Sequence, residues 1–304
     1  MIKETLDNIV AQMSQVILGK ELQIRLVLSC LMARGHVLIE DVPGVGKTTL
    51  AQVLAKVLGL SFQRIQFTSD LLPADIIGVS VYDKEAKAFK FHVGPIFAQM
   101  VLADEVNRAT PKTQSALLEA MAEHQVTVEG ETRPLPVPFF VLATQNPLHQ
   151  IGTFTLPESQ LDRFMMRLEL GYPNPQTERA LLTGRDRQEI IADLRPTLTV
   201  DDIVAIQRAV LQVHVANALI DYLQAILEFS RQSPRYRIGL SPRAGLAIRH
   251  FAQAYALMQG RDHVIPEDIQ TVLPGVIGHR LSAMRESQNT QALVSQLIEK
   301  VPIP

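Results

Sequence analysis

The 304-residue chain contains no tryptophan and a single cysteine, Cys30. One thiol cannot close an internal disulfide or build a multi-cysteine zinc site, and such scarcity fits a reducing compartment. Net charge is also small. Lys and Arg number 29 against 31 Asp and Glu, a balance of −2, so no bulk field draws the chain to DNA or to anionic lipid. The opening MIKETLDNIV has two acids, one lysine and none of the apolar core of a leader peptide, and a cytoplasmic location is expected from it. A long apolar run is missing as well. Leu135 to Pro157 carries no Asp, Glu, Lys or Arg, but Pro136, Pro138, Gln145, Asn146, Pro147, His149 and Gln150 interrupt it. A membrane span needs roughly 20 mostly apolar residues. The stretch therefore reads as a buried strand followed by a loop, and no span is expected.

What is present is core-forming material. Hydrophobic residues make up 47% and charged ones 20%, which excludes disorder over the whole length. Up to about residue 170 the pattern alternates. KELQIRLVLSCLMA and TTLAQVLAKVLG have helical spacing, while HVLIE, FQRIQF, QMVLAD and FFVLAT are short apolar runs of strand length. Alternation of this kind predicts a parallel sheet covered by helices on both faces. Two period-two segments, GVSVYDKEAKAFKFHVGP and QVTVEGETRPLPVPFF, read as inserted β-hairpins, the second turning near Glu129 and Gly130. YPNPQ makes a linker. Beyond it only helical periods are found, so the expected division is an α/β domain over 1–172 and a small all-helical domain over 173–304.

Chemistry concentrates at the strand ends. Asp41, Val42, Pro43, Gly44, Val45, Gly46, Lys47, Thr48 and Thr49 lie between HVLIE and a helix. Glycines let backbone N–H groups converge on an anion, and the helix start adds unpaired amides and a positive dipole end. Lys47 is placed to reach β- and γ-phosphates and Thr48 to hold Mg²⁺ through its hydroxyl. The general phosphate-loop pattern has glycine where this chain has Asp41, a short polar residue tolerant of unusual backbone angles. The motif specifies nucleotide phosphate, not the enzyme.

QMVLAD ends in Asp104 and is followed by Glu105. Adjacent carboxylates on a strand end point different ways, so Asp104 is expected to hold Mg²⁺ through water and Glu105 to take a proton from the attacking water. FFVLAT runs into Gln145 and Asn146. Asn146 has two readings, a group that bonds both γ-phosphate and water, or a turn residue before Pro147. Arg163, with Arg167 behind it, is the candidate arginine for a neighbouring subunit's transition state, against the reading of a surface ion pair. Arg243 sits in Ser241-Pro242-Arg243 at a helix start, where a cation is unfavourable unless a bound polyphosphate reverses the sign.

These blocks in this order resemble an AAA+ ATPase, and more finely the MoxR family. LIEDVPGVGKTTLA, LADEVNRATPKTQSALLEAMAEHQVTVEG, VLATQNP, LPESQLDRFMMR and LSPRAGLAI match its signature segments over nearly the whole chain. The family tolerates an acid at the position of Asp41. The resemblance implies ATP and Mg²⁺ at the loop, with Lys47, Thr48 and Asp104 in their usual roles. It implies Glu105 as catalytic glutamate, Asn146 as first sensor, Arg163 as arginine finger and Arg243 as second sensor. Ile17, Leu18 and Gly19 match the stretch that lines an adenine pocket. It further implies a helical lid, a hexameric ring, and chaperone-like work on partner complexes, often through a protein with a von Willebrand factor A domain.

Two other readings use the same loop. A nucleic-acid motor predicts basic or aromatic pore hairpins. Here Lys84, Lys87 and Lys90 stand beside Asp83 and Glu85, and Glu123, Glu129 and Glu131 face only Arg133, which argues against a nucleic-acid channel. A nucleotide-gated scaffold or GTPase switch is disfavoured by the intact Asp104-Glu105 pair and by the absence of an Asn-Lys-x-Asp guanine motif.

Overall fold

The computed structural model describes residues 2–146, 152–283 and 290–303. Two N-terminal helices, α1 (Ile2–Val16) and α2 (Glu21–Met32), precede β1 (Val37–Glu40). Then come α3 (Lys47–Leu58), β2 (Phe62–Gln66), α4 (Pro73–Ile77), a hairpin of β3 (Gly78–Asp83) and β4 (Ala88–Val93), β5 (Met100–Asp104) and α5 (Pro111–Glu123). A second hairpin, β6 (Gln125–Val128) and β7 (Glu131–Pro134), leads to β8 (Phe140–Gln145), α6 (Glu158–Leu161) and β9 (Met166–Leu168).

The central sheet runs in the order β2-β5-β8-β1-β9, and every pairing in it is parallel. Alternate strand residues feed two cores, as a period of two requires. Val37, Ile39, Met100, Leu102, Phe140 and Leu142 point into one, and Leu38, Val101, Ala103, Val141 and Ala143 into the other. Strands β1, β5 and β8 are buried almost throughout, which is why they appear in sequence as unbroken apolar runs. Edge strand β9 was not expected. At three residues it is too short to show any period.

Both hairpins form as expected. The β6–β7 turn sits at Glu129 and Gly130, both with positive φ, the conformation that matches strand twist in a two-residue turn. The first hairpin leaves the core through Gly78 and Gly94. A Cβ on Gly78 would lie 2.4 Å from the His92 carbonyl oxygen, so no side chain fits there. The Arg133 guanidinium stacks 4.1 Å above the Phe91 ring and joins the two hairpins.

The second half comprises α7 (Pro175–Thr183), α8 (Arg187–Asp193), α9 (Val200–Val210), α10 (Asn217–Gln232), α11 (Pro242–Met258), α12 (Pro266–Ile277) and α13 (Thr290–Lys300). It is not wholly helical. β10 (Tyr236–Ile238) and β11 (Ser282–Ala283) form a two-stranded antiparallel ladder, anchored by buried Tyr236. These strands are also too short for periodicity to reveal. The larger core is continuous from the sheet through α1, α2 and α3 into α9, α11 and α12, with Leu6, Ile9 and Met13 in the same cluster as Ile248 and Phe251.

Candidate functional site

The carboxyl ends of β1, β5 and β8 lie side by side because these strands are parallel neighbours, and such an edge is where open α/β sheets take ligands. The loop after β1 carries Gly44 at φ 85° and Gly46 at φ 94°, and a Cβ built on either would meet nothing within 4 Å. The loop is thus left-handed at both glycines and open above them. Gly46 caps α3 without a side-chain bond, so the first-turn amides at Lys47, Thr48 and Thr49 keep free N–H groups. Pro43 and Gly44 are exposed, while Val45, Thr48 and Thr49 are half-buried.

Lys47 is buried. Its ammonium donates to the carbonyls of Asp41 (2.6 Å) and Val42 (3.2 Å) and to Oδ1 of Asn146 (3.3 Å). Burial lowers the Lys47 pKa, while Asp41, Asp104 and Glu105 pull it back up. Asn146 Nδ2 donates to Glu105 Oε1 at 3.0 Å. The loop lysine, the strand-tip amide and the glutamate thus form one chain of contacts. Pro147, the other half of the expected turn, lies outside the described residues.

Glu105 has φ 57°, an uncommon conformation for a residue with a side chain. Its carboxylate also accepts from Gln66 Nε2 (3.2 Å) and Arg108 Nη1 (2.9 Å). Asp104 is engaged differently. Oδ1 accepts from Thr144 Oγ1 at 2.6 Å and Oδ2 from both Nε (3.1 Å) and Nη2 (2.7 Å) of Arg64, which leaves a lone pair on Oδ1. Thr144 Oγ1 in turn accepts the Glu105 N–H at 2.9 Å. Neither Thr144 nor Arg64 was singled out from the sequence, because a buried strand threonine and an exposed strand arginine carry no motif. A Thr48 hydroxyl, an Asp104 carboxylate and phosphate oxygens make an all-oxygen donor set that suits Mg²⁺. No cluster of three or more His, Cys, Asp or Glu that could hold a metal by itself occurs among the described residues.

Asp41 explains its own departure from glycine. It is not among the positive-φ residues, so backbone tolerance is not its reason. Its Oδ1 accepts from Val42 N (2.8 Å) and its Oδ2 from Leu170 N (2.7 Å) and Gly171 N (2.6 Å). The carboxylate ties the loop to the chain leaving β9 for the second half. Ile17 to Gly19 follow α1 and approach the same junction. A Cβ on Gly19 would come within 2.9 Å of Thr177 Oγ1, and Lys20 Nζ bonds the Tyr172 carbonyl at 3.1 Å.

Arg163 and Arg243 lie elsewhere. With Arg34, Arg280, His36, His124 and Asp162 they line a cleft of about 220 Å³ at the amino end of β1. The phosphate loop is at the carboxyl end, so the full strand, about 13 Å of extended chain, separates the two sites. Arg163 Nη1 donates to the Leu118 carbonyl at 2.7 Å. Arg243 is 61% exposed and stands 3.9 Å from Asp162 Oδ2. Ser241 caps α11 through the Ala244 N–H, as its sequence position predicts. Arg167 is committed to Glu40 at 2.9 Å, within the sheet. Arg280, missed in sequence as one arginine among many, is 5% exposed. It binds Asp162 Oδ1 at 2.7 Å and the Phe164 carbonyl at 2.7 Å, fastening the segment that carries Arg163 to the end of α12. His36 is neutral near pH 7, its pKa pushed down to about 4 by burial, with Nδ1 accepting from Val141 N and Nε2 facing the Met121 carbonyl.

A phosphate loop after β1, a two-acid strand end beside it and a polar tip on the strand between them define an ATPase module of the AAA+ class. Residues 36–166 match the family described as ATPases associated with various cellular activities, and residues 228–301 match an AAA lid domain. Chaperone MoxR1 of Mycobacterium tuberculosis is 37% identical, over 99% of this chain and 82% of its own. Uncharacterized protein YeaC of Bacillus subtilis is 45% identical over 98% and 95%. A solved structure from Cytophaga hutchinsonii, provisionally assigned to the ATPases, superposes with a TM-score of 0.90 at 34% identity, covering 100% of this chain and 96% of the other. The chain belongs to the MoxR family of AAA+ ATPases. No helix among the described residues is long and apolar enough to cross a membrane.

Proposed function

We propose that this protein hydrolyses ATP at sites completed between copies of itself in a ring, a hexamer on the family pattern, and uses the cycle to remodel partner proteins. The observation that carries the reading is the separation of the two halves of the chemistry. Lys47, Asp104, Glu105 and Asn146 gather at one edge of the sheet, and Arg163 and Arg243 open at the other. One copy's arginines then serve the next copy's triphosphate. The working division is an α/β domain over 1–172 and a lid over 173–304, with Ile17 to Gly19 beside the adenine.

Each group has a task its geometry allows. Lys47 leaves the loop carbonyls for phosphate oxygens, and the free amides of the first turn of α3 cradle the same anion. Thr48 and Asp104 hold Mg²⁺, which when bound offsets phosphate charge. Glu105, steadied by Asn146 and Arg108, takes the proton of the attacking water, and Asn146 reports the γ-phosphate to both Lys47 and Glu105. Arg163 and Arg243 meet the charge that develops on the γ-oxygens. The client is a protein assembly, with a von Willebrand factor A domain protein as the partner class and the cytoplasm as the location.

The test is a pair of variants. Lys47→Ala should lose ATP binding. Glu105→Gln should bind ATP normally while turnover falls about 100-fold or more, the usual scale for a lost general base. In the unaltered protein, turnover per subunit should fall on dilution as rings dissociate. Full turnover by Glu105→Gln, or by dilute monomer, contradicts the proposal.

A further inference from the structure

The arginine cleft holds two guanidinia that no motif accounts for, Arg280, which is fastened to Asp162, and Arg34. Helix α2 ends with Ala33 as its C-cap, and Arg34 follows at φ 59°, with its N–H on the Leu31 carbonyl and the next N–H, of Gly35, on the Cys30 carbonyl. That is the left-handed turn in which helices ordinarily place glycine. The glycine stands one residue later for a steric reason. A Cβ on Gly35 would lie 2.5 Å from Met165 and 2.9 Å from the Cys30 sulfur. Arg34 is therefore held in a conformation that disfavours a side chain, and its guanidinium projects from an exposed position with no hydrogen-bond or ion-pair partner among the described residues. Strain of this kind clusters where a side chain has a task.

The surroundings say what the task requires. Among the described residues, Arg34, Arg163, Arg243 and Arg280 share the cleft with a single carboxylate, Asp162. Asp162 is held by buried Arg280 at 2.7 Å and is only within 3.9 Å of Arg243. Arg34 thus faces the open cleft with no carboxylate partner among the described residues, and Arg243 has only the long contact to Asp162. Arg163 also borders a second cleft that holds Glu119 and Glu123, and Arg243 and Arg280 repel each other. Like charges gathered this way are stabilised when an anion enters. A polyphosphate cannot reach it from the same chain's loop, which is at the far end of β1.

We propose that Arg34 is a third catalytic arginine, delivered together with Arg163 and Arg243 to the γ-phosphate held on a neighbouring copy. This rests on the inter-copy reading given above. Its guanidinium donates to γ-oxygens as their charge grows, and the neighbouring copy supplies the anion that the cleft lacks.

Arg34→Gly tests it, because glycine suits the backbone at this turn and removes only the guanidinium. The melting temperature should stay level or rise by a few degrees, since glycine adopts this turn without strain. ATP affinity should stay within about twofold while kcat falls about tenfold or more, as for loss of one transition-state donor. Mixing Arg34→Gly with Glu105→Gln subunits should restore part of the turnover, because a Glu105→Gln neighbour still delivers Arg34 to an intact loop. Arg163→Ala is run alongside. If Arg163→Ala loses turnover and Arg34→Gly keeps it, Arg34 has no catalytic part. If kcat falls but mixing restores nothing, delivery between copies by Arg34 is wrong. If both variants keep full turnover, the inter-copy reading fails and takes the proposal with it.

Discussion

Thr144 lies at the centre of the carboxylate site. It donates to Asp104 and accepts from Glu105 N–H, so one hydroxyl sets both acids, and Glu105 keeps its left-handed backbone beside it. Replacing Thr144 by the isosteric Val should strand the Glu105 N–H and free the Asp104 carboxylate. The expected cost is about 1–3 kcal/mol of stability. Turnover should fall roughly 10- to 100-fold as Glu105, the proposed base, loses its position, with ATP affinity nearly kept. Steady-state kinetics with thermal melts decide this, and unchanged kcat would show the hydroxyl to be dispensable. At this scale Asp104, Glu105 and Asn146 stood out in the sequence because each sits at or just past the end of an apolar strand, and Lys47 because it follows the glycines at a helix start. Thr144 was hidden because threonine in a buried strand reads as an ordinary β-former. Arg34 and Arg280 were hidden because an isolated arginine has no local pattern.

Among the elements, the junction between β1, its loop and β9 sets the site. Asp41 bonds Val42, Leu170 and Gly171 amides, so the phosphate loop and the exit of β9 move as one unit. Asp41→Gly restores the general loop residue, and ATP binding should survive within several-fold. The amides of Leu170 and Gly171 then lose their buried acceptor, and their hydrogen exchange should quicken, with about 1–3 kcal/mol lost from stability. Unchanged protection at those two amides would show the clamp to be incidental. The strand–turn–helix around Lys47 and both hairpins were readable from period and turn residues. β9, β10 and β11 were not, since two or three residues cannot display a period, and their pairing is decided by packing. The hairpins also carry more exposed apolar surface than their charges suggested, with Phe89 73% exposed and stacked edge-on to Tyr82.

For the whole molecule, the decisive feature is that the candidate groups divide between the two ends of the sheet. The parallel arrangement was predicted from alternating strand and helix patterns. That Arg163 and Arg243 would share one cleft was not, because they come from opposite sides of the linker and meet only through the fold, with Arg280 fastening Asp162 between them. Arg243 is placed by the core that runs from α1 and α2 into α9, α11 and α12, through Ala244 and Ala247, and Arg163 by Phe164 in the other core. On the proposed reading the two ends act as complementary half-sites between copies, and head-to-tail contacts of that type form a ring where the rotation between copies closes.

Mixing two inert variants measures this most directly. Arg163→Ala keeps its phosphate loop and Lys47→Ala keeps its arginine, so neither should turn over ATP alone. In an equal mixture, ATP turnover should return to roughly a quarter of the unaltered rate, the share of interfaces that pair an intact loop with an intact arginine in a random ring. A mixture that stays as inactive as its components, although the two variants are shown to co-assemble, would contradict hydrolysis between copies.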